Sequence, residues 1–532
     1  MNLKLTLVLA ALCTFCRLQL LAAAVPATPA TVPPRIFFVD VESGPVKGGP
    51  GNLGIPISIF GKGFGTARGT SRVLIGGTEV ARYLIWGSAN AHNRDLDMIV
   101  VQPGPIHSPG AITVLVDGNS SNSEHSFAPT TGTFYYVSRT GSDGKSCNES
   151  APCATVGHVI SEMKAGDVLL MRQGIYPEGE IWIRSPQGGT VGRPKVIKNF
   201  PGEEVTLDNA VRHFYVDADY ITVSGLNFRN GKSLLVAGWA SLDQRGDRFI
   251  NNTFAGTIEW AAVDLTGHDH VLAGNVCNVS GSTVGTMGHC YYVSQGSNLQ
   301  ILYNVGSGAP GYGLHIYDER RAEKDFRRVI RDVLVEGNIL TGSRQRSGMV
   351  LDMSDAGGYG NVIQNVTIRN NIFCANNQAG LVLKGSTQGV SIYNNTFYQN
   401  GRQGLYVDND ANIRGIDIRN NLFYQSRNSN CSTECGMPEA HLQVGPRARD
   451  ITLIGNSYHP GRAIVLGASD SKAVTGTVSF LNEAMLDFHI LNSSATIGRG
   501  APLTAVLTDH DGRLRAAGRA QDTGAFEHAF EH

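Results

Sequence analysis

From Ile221 onward the chain repeats a short template, in which a β run with apolar residues at alternate positions meets a turn built on Asn or Gly. The segments ITVSGLNF, RFINNTF, HVLAGNVC, LQILYNVG, VLVEGNIL, VTIRNNIF, VSIYNNTF, IDIRNNLF and ITLIGNSY share it. Asn227, Asn252, Asn275, Asn304, Asn338, Asn371, Asn395, Asn421 and Asn456 are assigned one place in the template, at separations of 23 to 35 residues. A period in that range, carried by short β runs and a turn, is the mark of a solenoid. Asparagine tolerates a left-handed backbone, and its side-chain amide can bond the equivalent amide one coil away. A ladder of stacked asparagines is therefore expected.

Each interval holds a second strand: AVDLT, CYYVS, GLHIY, GMVLD, GLVLK, GLYVD, AHLQV and AIVLG. Strand alternation sets two columns opposite the apolar positions. One is read as Asp264, Tyr292, His315, Val350, Val382, Tyr406, His441 and Val465. The other is read as Thr266, Ser294, Tyr317, Asp352, Lys384, Asp408, Gln443 and Gly467. Coil bodies are fixed by stacking, so surplus residues must leave as loops. Three consecutive long intervals lie between Asn275 and Asn371, which predicts a walled cleft there. The longest excursion, residues 318–332 (DERRAEKDFRRVIRD), leaves directly after Tyr317.

Ahead of the repeat, the runs RIFFVDV, IPISIFG, RVLIGG, MIVVQP and AITVLVDG are separated by Gly and Pro, the spacing of a small sandwich. With IFGKGFG at 59–65, the glycine pair at 76–77 and SNSEHSF at 121–127, this stretch resembles IPT/TIG domains, which are immunoglobulin-like modules. A new unit opens with FYYVSRTGSDGKSCNESAPCAT and the helix-like TVGHVISEM, resembling the caps that close the first coil of secreted β-helices. With the asparagine repeat and the closing DTGAFEH at 522–528, the region resembles the pectate-lyase-like superfamily of right-handed parallel β-helices. The expected layout is a signal peptide over 1–24, a linker over 25–33, an all-β sandwich over 34–130 and a β-helix with its cap over 134–532.

Composition narrows the picture. The chain carries 44 Lys+Arg against 45 Asp+Glu, so its net charge gives no reason to expect nucleic acid. A charged fraction of 17% and 64 glycines suit a turn-rich β protein. The run LTLVLAALCTF, followed by alanines at 22–24, reads as an export signal, and no later stretch is long and apolar enough to span a bilayer. An extracellular or periplasmic monomer is expected. Cys147 with Cys153, and Cys431 with Cys435, flank short loops and are candidate disulfides, whereas Cys277, Cys290 and Cys374 read as core residues.

Two chemistries fit the cleft. In β-elimination on a uronic-acid polymer, a base removes the proton α to the carboxylate, a cation neutralises that carboxylate and an acid protonates the leaving oxygen. His315 is the candidate base, Tyr317 or Tyr292 the acid, and Lys384, Arg344 or Arg346 the neutraliser. His289, Tyr406, Asp408 and Arg320 are further candidates for holding an anionic polysaccharide. Relatives within the resembled superfamily often use calcium for neutralisation. Asp352 and Asp408 could supply oxygen ligands, but Lys384 between them argues against a cation there. The rival is inverting hydrolysis by Asp352 and Asp408, two coils or about 9 to 10 Å apart. A C5-epimerase shares the proton abstraction, and a non-catalytic glycan-binding solenoid is the third reading. The plainer alternative for Asp352, Lys384 and Asp408 is a surface ion-pair ladder. Tyr292 and Tyr406 equally read as strand formers, His441 as structural, and His268 and His270 as residues of a solvated turn.

Overall fold

The computed structural model describes residues 33–528, except 88–89, 91, 106–107, 209–213, 257, 283, 318–327, 356–357, 427–430, 433–439, 461–463 and 517. The expected signal peptide, nearly all of the linker, Arg320 and Cys435 lie outside the described residues.

The first strands form two sheets face to face. Arg35–Val39, Ile57–Lys62, Asp97–Gln102 and Arg82–Ile85 make an antiparallel sheet of four. Gly110–Val116 lies at the centre of the second, between Arg72–Ile75 and Ser126–Thr130. Alternation sends Ile57, Ile59, Ile99, Val101, Ile112 and Val114 into the space between the sheets. That core does not stop at the sandwich, because Tyr136, Val168, Leu170 and Val196 of the next unit belong to the same cluster.

The rest of the chain is a right-handed parallel β-helix whose coils each pass through three faces. The first face contains Ile181–Arg184, Phe214–Asp217, Leu235–Ala237, Ala261–His268, Leu314–Tyr317, Met349–Met353, Leu381–Gly385, Gln403–Val407 and Ala440–Val444. The second contains Lys195–Asn199, Ile221–Ser224, Arg248–Ile250, Val271–Ala273, Val329–Glu336, Val362–Arg369, Thr387–Tyr393, Arg414–Arg419 and Arg449–Ile454. The strand His289–Leu302 runs through both, so the two faces join as one 22-stranded sheet. The third face is a separate 12-stranded sheet from Gly174–Tyr176 to Val474–Thr475. Inward positions fill the interior with aliphatic residues and an aromatic stack of Phe373, Phe397, Phe423 and Tyr458. The helix Val156–Glu162 closes the first coil with Val156, Val159 and Ile160, and Glu178 caps its first amides.

The asparagine ladder is real but starts later than its pattern suggests. From Asn252 to Asn456, each buried amide donates from Nδ2 and from the backbone N–H to Oδ1 of the next asparagine, at 2.8 to 3.1 Å. Asn227 is not a rung. Leu226 occupies that position and donates its N–H to Asn252 Oδ1, while Asn227 pairs with Thr253 on the third face. The left-handed backbone also sits elsewhere: it belongs to the residue before each rung, such as Asn251, Tyr303, Asn370, Asn394 and Asn420. Turn and ladder are thus divided between neighbouring residues. The last rung ends on the carboxylate of Asp470, which accepts from Asn456 Nδ2 at 2.7 Å.

Two faces are covered. The sandwich lies on the second, where Phe37, Phe38, Phe60 and Leu96 pack on Ile250, Val271, Ala273, Leu302 and Tyr303. Within this contact Lys198 Nζ lies 2.5 Å from Asp40 Oδ2, both fully buried. The C-terminal segment lies on the third, where Phe480, Phe488, Ile490 and Phe526 pack on Ile372, Cys374, Tyr398 and Leu422. Sandwich and C-terminal segment also meet each other: Asp95 binds Lys62 and His510, and Asp511 binds Lys62 and His489. The first face carries no such cover among the described residues.

Cysteine pairing departs from expectation in one respect. Cys147–Cys153 forms, and Cys431 is disulfide-bonded. Cys277 and Cys290, expected as separate core residues, are joined to each other, tying the third face to the strand that begins at His289.

Candidate functional site

The outward positions of the first face bring the central candidates together. Register pairs Asp264 with Tyr292, Tyr292 with His315, His315 with Val350, Val350 with Val382, and Val382 with Tyr406. Beside that column, Tyr317 pairs with Asp352 and Asp352 with Lys384, and Asp408 continues the line through its N–H to Leu383 O. Several placements differ from expectation. Gln443, not His441, follows Tyr406, and Leu466, not Val465, follows Gln443, because the inward positions of this strand are Leu442 and Val444. His441 instead has both ring nitrogens on backbone groups, Ile464 N–H and His459 O. The strand also slips near Ser294, where Thr266 pairs with Gln295 and the Thr266 and Ser294 hydroxyls bond each other. His270, expected in a solvated turn, is fully buried and receives the N–H of Asp247.

His289 and His315 form the centre. The backbone N–H of Tyr312 donates to His289 Nδ1 at 3.1 Å, and His289 Nε2 lies 3.2 Å from His315 Nδ1. A backbone N–H can only donate, so a neutral His289 carries its proton on Nε2 and gives it to His315 Nδ1. That leaves a neutral His315 with its N–H on Nε2. Both rings are kept neutral. Burial, helped by the charge of Arg346, pushes His289 down to about 3. Burial, then the neighbouring His289, Lys384 and Arg346, holds His315 well below the usual histidine range. An aromatic wall surrounds the pair: Tyr317 stacks on His315 at 5.2 Å, Tyr312 lies 4.7 Å away, and Tyr292 packs between His315 and Trp260. Neither Tyr312 nor Trp260 was singled out by pattern. Both lie in turns just ahead of a strand, where periodicity carries no information.

The charged members sit one position along. Burial raises the Asp352 carboxyl above the usual range; Lys384 opposes the shift, while Asp408 and Asp410 add to it. Lys384 forms no ion pair with a described carboxylate, so the surface ladder of alternating charges is not made as direct contacts. Asp408 is engaged locally, accepting Tyr406 Oη at 2.7 Å and its neighbour's N–H at 2.8 Å. Burial and Asp408 together push the Tyr406 hydroxyl up to about 12. Val350 and Val382 form an apolar floor between Tyr312 and Tyr406. Arg344 is pinned by its guanidinium to Ser282 O. Arg346 is half-buried, close enough to both histidines for its charge to act on them. The excursion after Tyr317 is shorter than its composition suggests, since Val329–Glu336 is already strand.

Calcium does not fit this donor set. Among the described residues, the one group of three metal-competent side chains is Cys147, Cys153 and His158, and its two cysteines are joined in a disulfide. Asp352 and Asp408 are held apart by a lysine.

Residues 241–443 match the family described as right handed beta helix region. No curated protein matches the chain. Similar solved structures include pectate lyase Pel9A, at 17% identity over 75% of this chain and 97% of that one, with a TM-score of 0.43. A rhamnogalacturonan lyase is 14% identical over 74% and 97%, with a TM-score of 0.40. A family 28 exopolygalacturonase of Yersinia enterocolitica is 10% identical over 84% and 98%, with a TM-score of 0.38.

Proposed function

We propose that the protein is an exported enzyme that cleaves a uronic-acid-containing polysaccharide by β-elimination on the uncovered first face. The observation that carries this reading is the order Asp352, Lys384, Asp408 beside a neutral His315. Elimination needs one base, a cation for the substrate carboxylate, and a donor for the charge that develops on it. Asp352, held above the ordinary carboxylate range, takes the proton α to the substrate carboxylate. Lys384 and Arg346 neutralise that carboxylate. Because Nδ1 of His315 is engaged by His289 and its proton is left on Nε2, His315 is assigned as the donor to the developing enolate rather than as the base, the use that neutral imidazole serves elsewhere. The electron pair left on carbon forms the new double bond as the bond to the glycosidic oxygen breaks. Tyr317, stacked on His315, protonates the departing oxygen.

Inverting hydrolysis fits less well. One carboxyl must protonate the glycosidic oxygen while the other activates a water on the opposite face of the sugar, whereas a lysine stands between the two here and Asp408 is already bound by Tyr406 and Asn409. The N-terminal sandwich is read as an IPT/TIG-like module, and the apolar run at the N-terminus as an export signal. Incubation with a panel of uronate and neutral polysaccharides tests the reading. Unsaturated, ultraviolet-absorbing ends from a uronate polymer support it. New reducing ends without that absorbance would overturn it in favour of hydrolysis, and conversion of uronate configuration without chain cleavage in favour of epimerisation.

A further inference from the structure

The chain has 4 tryptophans, and Trp182, Trp239 and Trp260 all lie along the first face. Register makes the relationship continuous. Trp182 pairs with Tyr215, Tyr215 with Val236, Val236 with Asp264, Asp264 with Tyr292 and Tyr292 with His315. Trp182 is thus five coil steps from His315, or roughly 24 Å along the solenoid axis.

The aromatic surface at this end is built, not incidental. Tyr215 stacks on Trp182 at 4.5 Å and lies 6.2 Å from Trp239. The Asp217 carboxylate holds both sides of the group, accepting Trp182 Nε1 at 2.6 Å and the Ala240 N–H at 2.9 Å. Gly238 has φ of +77°, and a Cβ there would lie 2.2 Å from Thr266 O. Only glycine makes that turn, and the turn carries Trp239 outward with 56% of its surface exposed. The Arg184 guanidinium lies 3.9 Å from the Trp182 ring centre and makes no ion pair among the described residues.

We propose that Trp239 and Arg184 form a distal subsite for the same polysaccharide: a pyranose ring stacks on the exposed indole, and the carboxylate of another sugar farther along the chain, two coil steps or roughly 10 Å away, pairs with the guanidinium. The bound chain runs along the solenoid axis to His315. Asp264, on the same line, accepts hydroxyl groups of the sugars between. This subsite rests on the uronate reading of the cleft, but stacking and elimination are separate events and are read separately.

The test uses the full chain and its W239A, W239Y and R184Q variants, titrated with oligogalacturonates and oligomannuronates of increasing length. Wild-type affinity is expected to rise with length until the oligomer spans the distance to Trp239. W239A loses roughly tenfold of the affinity for long oligomers, W239Y keeps most of it, and short oligomers bind all of these alike. R184Q weakens long uronates but not neutral oligomers of equal length. Unchanged melting temperatures accompany these losses, since the indole is mostly solvent-facing. Affinity independent of length, no binding of any uronate, or W239A that binds long oligomers as wild type does would each overturn the subsite. Binding that depends on Trp239 without formation of unsaturated ends upholds the subsite and removes the elimination reading alone.

Discussion

His289 Nε2 lies 3.2 Å from His315 Nδ1, and the other nitrogen of His289 is claimed by the N–H of Tyr312. One fixed backbone donor thereby sets the proton positions of two side chains in series. Nitrogen-15 correlation spectra of the histidine rings should show both as the neutral Nε2–H form from pH 5 to 8. A His315 ring protonated at Nδ1 would refute the relay.

The same relay gives a kinetic expectation. H315A removes a donor aimed at developing charge and should lower kcat by about 10²- to 10³-fold. H289A leaves His315 in place without its partner and should lower kcat less while changing the pH profile, because the tautomer is no longer imposed. D352N should abolish turnover yet keep oligosaccharide binding, which equilibrium titration reads directly.

Stability should depend on pH in two opposite senses. His289 and His315 are lowered in the folded protein, so between their folded values and about 6.5 the unfolded chain binds more protons. Their contribution is present above pH 6.5 and is lost as pH falls below it. His489 behaves the other way. Burial would lower it, but hydrogen bonds and charge from Asp487 and Asp511 raise it to about 9. Its contribution is full below pH 6.5 and disappears as pH rises through about 9. Lys62, Asp95 and His510 surround the same cluster and share in it. Melting curves of H489Q should lie below wild type at pH 6 and converge with it above pH 9.

Lys198 and Asp40 test how firmly the sandwich is seated. Both are buried, and Lys198 also donates to Pro56 O and Ser58 Oγ. K198M leaves a buried carboxylate without its cation and should cost about 3–5 kcal/mol. K198M/D40L should recover much of that, as paired apolar replacements often do. Thermal unfolding and limited proteolysis between the sandwich and the first coils measure both.

The fold was legible because it repeats: alternation marked the inward positions, and one asparagine per coil marked the turn. The errors came where two neighbours compete for one position. Asn227 lies next to the ladder, and a pattern search cannot see that Leu226 fills the rung with its backbone alone. His441 was misplaced by aligning the strand on its first residue; the apolar alternation of Leu442 and Val444, both buried, puts Gln443 on the outward line instead. The Cys277–Cys290 bond joins two faces of the solenoid, and the Asp40–Lys198 contact joins residues 158 apart. Such contacts follow from assembly of the whole. In the cleft, His315, Tyr317, Asp352 and Lys384 could be placed by alternation and His289 only as the residue ahead of its strand, but the proton positions of the two histidines could not, since Tyr312 N–H decides them.

An interior rung should be expensive to remove. Asn371→Ala withdraws a donor from Val335 O and an acceptor from both Asn338 N–H groups. Because the site is fully buried, about 2–3 kcal/mol is expected, read as a lowered melting temperature without loss of the overall circular dichroism.

Every rung of that ladder faces the same way, and this bears on how such a chain can change length. A whole coil added between two asparagines finds a donor on one side and an acceptor on the other, so the array accepts insertions at any interior point. At the far end Asp470 offers only acceptors, and nothing in its carboxylate can donate to a further asparagine. Growth by duplication is therefore closed at that end and open in the interior of the array. That is where the cleft lies, and where an added or deleted coil would lengthen or shorten the surface open to a polymer.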